Sequence, residues 1–152
     1  MTKQSEPMHP EVRRLLEEAR ADREGFWGRA AEQLPWFRKW DRVFERQYPS
    51  FRWFINGQTN ICYNALDHQV LSGRGSHAAL IYENEAGERR VFTYEQLLEE
   101  VRLVAAALRG LGVQRGDRVA IYMPTMPEAI VAMLATTRIG AIHLVVFAGF
   151  GS

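Results

Sequence analysis

The stretch that decides the fold runs from residue 92 to residue 150 and reads FTYEQLLEEVRLVAAALRGLGVQRGDRVAIYMPTMPEAIVAMLATTRIGAIHLVVFAGF. It contains the same pattern twice: a capped helix, a glycine stop and a β-branched strand. In the first copy, Thr93 and Gln96 have the spacing of a capping box, which pairs two backbone N–H groups at a helix start. Gly110 and Gly112 end the helix, and a strand is predicted over 118–122. The apolar residues of this helix fall on one face: Leu97, Leu98, Val101, Val104, Ala105 and Leu108.

The second copy begins at Thr125, which has Glu128 three residues on and Pro127 in the first turn. A helix is predicted over 126–139, ended by Gly140, followed by a strand over 141–147. That strand is nearly continuous in apolar residues, as expected for a parallel strand covered on both faces. The two strands and the helix between them predict a right-handed βαβ unit and an α/β fold. The predicted inner face of the second helix consists of Ile130, Met133, Leu134 and Thr137.

A different kind of sequence precedes this stretch. A helix is predicted from Pro10 to Arg23, and residues 24–53 then hold all four tryptophans among several basic residues. Aromatic and basic residues together can form a nucleic-acid stacking surface. Acidic residues cancel much of that charge, which favours a segment that anchors itself by its aromatic rings. A turn over 54–60, a short helix capped by Asn60, a loop over 72–76 and strands over 78–82 and 89–92 follow.

Composition restricts the function classes. The chain has 152 residues, 47% of them hydrophobic and 24% charged, and a net charge of +1, as in an ordinary globular domain. No basic cluster supports binding to nucleic acid or to an anionic membrane. Cys62 is the single cysteine, so no internal disulfide is expected, and a reducing compartment such as the cytoplasm is predicted. Residues 1–10 lack the apolar core of a signal peptide, and no membrane span is predicted.

No group of residues in the sequence has the pattern of a catalytic or metal site. Residues 73–78 fit the G-x-G-x-x-A dinucleotide fingerprint, but a helix precedes them and a strand follows, which is the wrong context. The four histidines are scattered, and His143 is expected to be a hydrogen-bonded core residue. The turn Phe147–Gly151 remains, because ligands of open α/β sheets bind beyond the carboxyl ends of the strands. The alternative is a simple strand-to-helix turn.

Several collinear segments have the sequence of a known family. They are residues 53–60, 63–67, 78–82, 93–95, 111–113, 116–124, 127–129, 132–135, 138–141 and 145–150. Through them the chain resembles, from about residue 24 to its end, the N-terminal region of AMP-forming acyl-CoA synthetases of the acetyl-CoA/propionyl-CoA synthetase kind, in the adenylate-forming superfamily. The resemblance implies a partial parallel-sheet layer of an adenylate-forming domain, preceded by a Trp-rich helical leader segment.

The resemblance also implies a reaction and a set of ligands. Such enzymes join acetate, propionate or a related carboxylate to ATP, release pyrophosphate, and transfer the acyl group to CoA, with Mg²⁺ holding phosphate charge. In the family, the turn that matches Phe147, Ala148 and Gly149 borders the CoA nucleotide. The 152 residues contain no Ser/Thr/Gly-rich phosphate loop, no Mg²⁺ carboxylate motif and no C-terminal lysine domain. The chain alone is therefore expected to be inactive and to bind no cofactor tightly.

Two hypotheses stay open at this point. The chain is either the N-terminal part of such a synthetase, or a non-catalytic module that pairs with a separate synthetase remainder or binds CoA weakly. Neither includes a nucleic-acid or membrane partner. The predicted domains are a flexible or helical N-terminus over 1–23, a segment like the N-terminus of acetyl-CoA synthetase over 24–90, and the truncated start of an AMP-binding domain over 91–152.

Overall fold

The computed structural model describes residues 8–146, and the chain divides between Gln58 and Thr59 into two compact units. The N-terminal unit holds two helices and a β-hairpin, and the C-terminal unit holds the doubled pattern of helix and strand. The α/β fold class predicted from the sequence is confirmed.

The N-terminal unit begins with helices α1, Pro10–Ala21, and α2, Arg23–Ala31. Asp22 separates them, and its carboxylate accepts a hydrogen bond of 2.9 Å from the amide of Gly25, which caps α2. An antiparallel hairpin follows, with strands β1, Arg42–Gln47, and β2, Ser50–Ile55. This hairpin within the leader segment is not among the elements predicted from the sequence.

Half-buried aromatic side chains pack against one another in the N-terminal unit. The Trp36 ring lies 4.9 Å from that of Trp40, and the Trp40 ring lies 5.1 Å from that of Phe54. The indole N–H of Trp36 donates to the carbonyl oxygen of Ala31 at 2.8 Å, so its polar group is satisfied. The predicted turn after β2 is present, and Asn56 has the positive φ of 61° that asparagine tolerates.

The C-terminal unit opens with two π-helical turns, Tyr63–Asp67 and Val70–Arg74. The amide of Tyr63 donates to the side chain of Asn60 at 3.1 Å, as the predicted cap requires. Strands β3, Ala78–Glu83, and β4, Arg89–Thr93, then form an antiparallel hairpin. The remaining elements are α3, Tyr94–Gly110, β5, Arg118–Tyr122, α4, Pro127–Arg138, and β6, Ile142–Val146. Strands β5 and β6 are parallel, as predicted.

Helix α3 has the start and the buried face that the sequence predicts. The amide of Gln96 donates to the hydroxyl of Thr93 at 3.2 Å, and the amide of Thr93 donates to the Gln96 side chain at 2.9 Å. These two bonds are the reciprocal pair of a capping box. Four residues of the predicted stripe are buried and the other two pack against the core: Leu97, Leu98, Val101 and Ala105, then Val104 and Leu108.

Helix α4 differs from its prediction at two points. Its N-cap is Met126 and no side chain caps it, so the predicted capping box of Thr125 and Glu128 is wrong. The buried face is also displaced: Ile130 is 36% exposed, whereas its neighbour Val131 and Ala135 are buried. Residues 130–135 are all apolar, so the sequence has no polar residue there to mark the outer face.

Strand β6 is far more exposed than a strand covered on both faces. Ile142 and Leu144 are 55% and 58% exposed, and His143 is also exposed, so the prediction that His143 is a core residue is wrong. Within residues 8–146, β5 and β6 form a sheet of two strands only. Such a narrow sheet cannot bury an apolar strand on both faces.

Candidate functional site at the carboxyl edge of the parallel strands

Strands β5 and β6 end side by side, which defines the candidate site. Their register pairs Arg118 with Ile142 at the start and Tyr122 with Val146 at the end. The chain therefore leaves both strands at the same edge of the sheet, where open α/β folds bind ligands. Phe147, Ala148 and Gly149 follow β6 directly but lie outside the described residues. Their predicted role at the CoA nucleotide stays a prediction.

The opposite edge of this sheet is fixed by backbone contacts. Gly140 has a φ of 78°, and its carbonyl oxygen accepts a hydrogen bond of 3.0 Å from the amide of Gly116. The amide of Ile142 donates to the carbonyl oxygen of Asp117 at 2.7 Å. These bonds join the turn before β5 to the turn before β6, so the two strands start together and also end together.

A polar clamp, which we define as Asn60, Asp67, Arg102 and Arg138, holds the C-terminal end of α4. The Asn60 amide donates to the carbonyl oxygen of Thr137 at 2.8 Å, a group that also accepts a hydrogen bond of 3.1 Å from the amide of Gly140. Both terminal nitrogens of Arg138 donate to the Asp67 carboxylate, at 2.6 and 3.0 Å, and Arg102 donates to it at 3.3 Å. The clamp thus ties the turn before β6 to the π-helical segment.

The charges of the clamp compensate one another. Asp67 is only 8% exposed, so burial by itself would raise its pKa, but the hydrogen bonds and charges of Arg138 and Arg102 bring that pKa below its ordinary value. The hydrogen bonds from Arg138 to Asp67 raise the pKa of Arg138 in turn. Asp67 is therefore a carboxylate in the folded protein, and it holds the helix end as an ion pair.

Cys62 lies beside the clamp and is inaccessible to solvent. Burial raises the pKa of its thiol, so the thiolate needed for nucleophilic chemistry is disfavoured. Cys62 is therefore a buried free cysteine that packs in the core of the C-terminal unit.

Sequence reasoning missed the clamp, because its members are far apart in the chain. Arg138 lies 71 residues after Asp67, and only the fold brings them together. The available signal was that Asp67 and Arg138 are each a charged residue among apolar positions of a helical segment. Asp67 and Arg102 also line a small pocket, whereas Asn60 and Arg138 hold the C-terminal end of α4 and so position the turn before β6.

The described part of the chain contains no cluster of three His, Cys, Asp or Glu residues that could hold a metal ion. The fingerprint-like residues 73–78 lead into β3 and not into a helix, so they lack the geometry that binds a pyrophosphate. No helix among residues 8–146 is long and apolar enough to cross a membrane.

Two family models match the chain. One, described as AMP-binding enzyme, matches residues 66–152, and the other, described as acetyl-coenzyme A synthetase N-terminus, matches residues 12–65. The chain belongs to the AMP-binding, adenylate-forming enzymes. Within that superfamily it corresponds to an N-terminal region of the acyl-CoA synthetases, so the resemblance drawn from the sequence is confirmed.

Curated relatives match most of this chain. The acetyl-coenzyme A synthetase of Deinococcus radiodurans is 54% identical over 125 residues, which is 82% of this chain and 19% of the relative. The 3-hydroxypropionyl-coenzyme A synthetase of Metallosphaera sedula is 52% identical over 128 residues, which is 84% of this chain and 19% of the relative. The chain thus spans about a fifth of the length of these relatives.

A solved structure has the same fold. The acetoacetyl-CoA synthetase from Streptomyces lividans superposes with a TM-score of 0.78 at 32% sequence identity, and the match covers 86% of this chain and 20% of that one. Relatives named for three different acids therefore share this region with the chain.

Proposed function

We propose that this chain is the N-terminal part of a short-chain acyl-CoA synthetase that converts acetate or propionate, ATP and CoA into acyl-CoA, AMP and pyrophosphate. The observation that carries the proposal is the in-register parallel pair β5–β6, whose strands end side by side at Tyr122 and Val146, at the edge where α/β folds bind ligands. The family matches over residues 12–65 and 66–152 support it. The choice of acid stays open, because the chain is about equally identical to an acetyl-CoA and a 3-hydroxypropionyl-CoA synthetase.

The proposal includes three finer statements. Phe147, Ala148 and Gly149 contact the CoA nucleotide, the reaction takes place in the cytoplasm, and residues 91–152 are the start of the AMP-binding domain. The 152 residues alone do not adenylate an acid, because they contain no phosphate-binding loop rich in Ser, Thr and Gly. ATP, CoA and Mg²⁺ are accordingly ligands of the longer enzyme.

A chimaera tests this function. The matching region of the Deinococcus radiodurans enzyme, 54% identical, is replaced by this chain, and pyrophosphate release is measured with ATP and acetate or propionate. We expect release from the chimaera and from the parent enzyme, and none from the 152-residue chain alone. A folded, soluble chimaera that is inactive with every short acid would contradict the proposal, and activity of the chain alone would contradict its second part.

The second candidate function is a module that associates with a separately made synthetase remainder. The exposed apolar side chains of β5 and β6, such as Tyr122, Ile142 and Leu144, favour this alternative. It predicts that the isolated chain restores pyrophosphate release when mixed with the Deinococcus enzyme from which the matching region has been deleted. Activity only in the covalent chimaera would favour the first candidate.

A further inference from the structure

The tip of the β1–β2 hairpin forms a groove of about 460 Å³ within the N-terminal unit. Two kinds of side chain dominate its lining, aromatic rings and guanidinium groups: Phe44, Tyr48, Phe51 and Trp53, then Arg23 and Arg46. A volume of a few hundred cubic ångströms is typical of sites for small molecules.

The strand register produces the aromatic surface of this groove. Phe44 pairs with Trp53, and Arg46 pairs with Phe51, so these four side chains lie on one face of the hairpin. The Phe44 ring lies 4.8 Å from that of Trp53 and 6.5 Å from that of Phe51. Phe44 and Trp53 are half-buried, whereas Phe51 is 66% exposed. The groove therefore presents the Phe51 ring to solvent, next to two half-buried rings that pack against each other.

The two arginines of the groove are without an ion-pair partner in the part of the chain that the structure describes. Neither Arg23 nor Arg46 forms an ion pair with any residue between 8 and 146, and no carboxylate lines the groove. Arg29 and Arg42 of the same unit do reach carboxylates, of Glu18 and Glu45. A planar guanidinium group binds phosphate through two parallel N–H donors and also stacks on flat rings.

We propose that this groove binds a nucleoside phosphate, with the base stacked on Phe51 and the phosphate held by Arg23 and Arg46. Both halves of that ligand have a counterpart in the groove, an exposed ring for the base and two unpaired cations for the phosphate. An acidic peptide would use the cations but would leave the exposed ring without a flat partner. This proposal does not rest on the function proposed above, because it concerns other residues and another part of the chain.

A titration of the isotopically labelled chain with AMP tests the site by NMR. The indole N–H signal of Trp53 should shift and saturate. That of Trp36 should not move, because this indole does not line the groove and is bound to the Ala31 carbonyl oxygen. Adenosine and inorganic phosphate, tested separately, should bind at least about tenfold more weakly than AMP. Equal binding of AMP and either fragment, or no shift of Trp53, would overturn the proposal.

A titration with CoA distinguishes two sources of the nucleoside phosphate. CoA also carries an adenine and phosphate groups, so the ligand with the lower Kd, CoA or AMP, is the one that the groove prefers. Both results support the site. A short acidic peptide or a single-stranded RNA that shifts Trp53 at much lower concentration than either nucleotide would overturn it.

Matched variants test the two arginines. Arg46→Gln and Arg23→Gln should each weaken AMP binding about tenfold, as expected when one charge-assisted contact is removed. Arg52→Gln is the control, because Arg52 lies on β2 with the same charge but does not line the groove. An equal loss in all three variants would show non-specific attraction and overturn the proposal. An unchanged Trp36 signal verifies that each variant is folded, and the comparison of AMP with its fragments needs no variant at all.

Discussion

At the scale of single residues, Asp67 carries the largest structural role that can be argued from contacts. It is buried, and both Arg138 and Arg102 donate to its carboxylate. Removal of one member of a buried ion pair leaves the other charge without compensation, which costs more than the pair itself contributes. The clamp is therefore the point at which a small chemical change should have a large effect.

Replacing Asp67 by Asn should lower the free energy of unfolding of the C-terminal unit by about 2–3 kcal/mol, since the charge of Arg138 then lacks its partner. Urea unfolding followed by far-UV circular dichroism measures the change. Glu100→Gln is the control, because Glu100 is an exposed residue of α3 and its substitution should cost less than about 0.5 kcal/mol. Equal effects of the two variants would contradict the assigned role.

The loss of stability caused by Asp67→Asn should depend on pH. The folded-state pKa of Asp67 lies below its ordinary value, so its stabilising effect is fully present above about pH 4 and is lost as the pH falls through that lower pKa. The difference in unfolding free energy between the parent chain and Asp67→Asn should therefore be constant from pH 7 to about 5 and shrink towards pH 3. A difference that stays constant down to pH 3 would exclude the ion pair as its cause.

At the scale of elements, the two long helices of the C-terminal unit start in different ways. Helix α3 has a reciprocal capping box at Thr93, whereas the N-cap of α4, Met126, provides no side-chain cap. Thr93→Ala should therefore lower the free energy of unfolding by about 1 kcal/mol, and Thr125→Ala should change it by less than about 0.5 kcal/mol. Chemical denaturation of both variants measures this, and the reverse order would contradict the capping assignment.

The turn between α4 and β6 depends on a glycine. Gly140 has a φ of 78°, and a Cβ atom there would lie 3.1 Å from the side chain of Arg115. Gly140→Ala should destabilise the chain by about 1–2 kcal/mol, because an L-residue is strained in this conformation.

Gly110→Ala is the matched control for this substitution. Gly110 lies at the end of α3 and an added Cβ would meet nothing within 4 Å, so alanine should be neutral or stabilise by up to about 1 kcal/mol. Thermal unfolding of both variants measures the contrast. Equal destabilisation would mean that the backbone conformation of Gly140 is not the cause.

Local patterns were sufficient to predict the elements of the C-terminal unit. The spacing of Thr93 and Gln96, the stripe of α3 and the stop at Gly140 are all properties of adjacent residues. They failed where the sequence is ambiguous: residues 130–135 are all apolar, so the buried face of α4 is set by its neighbours. The clamp could not be predicted, because Asp67 and Arg138 meet only after the chain has folded. Residues 147–149 of the candidate site lie beyond the described part.

The hairpin of the N-terminal unit was also missed. Its strands alternate only partly, because Arg46 shares a face with Phe44 and Phe51. Packing among the aromatic rings stabilises the hairpin, which the local sequence pattern is too weak to specify.

At the scale of the whole molecule, the chain matches one portion of longer relatives. It spans about a fifth of its curated relatives, and these are named for different acids at nearly the same identity. A region shared so evenly is expected to serve what the enzymes have in common. We accordingly expect that exchanging this chain into either relative changes activity by a similar factor for each acid.

The distribution of tryptophan has a spectroscopic consequence. All four indoles, at positions 27, 36, 40 and 53, belong to the N-terminal unit, and the C-terminal unit has none. Tryptophan emission excited near the red edge of the absorption band therefore reports the unfolding of the N-terminal unit only. Ellipticity at short wavelength reports the unfolding of both units. Where Asp67→Asn unfolds the C-terminal unit alone, it would be silent to the first probe and visible to the second, and a laboratory that used emission alone would score a damaged chain as intact.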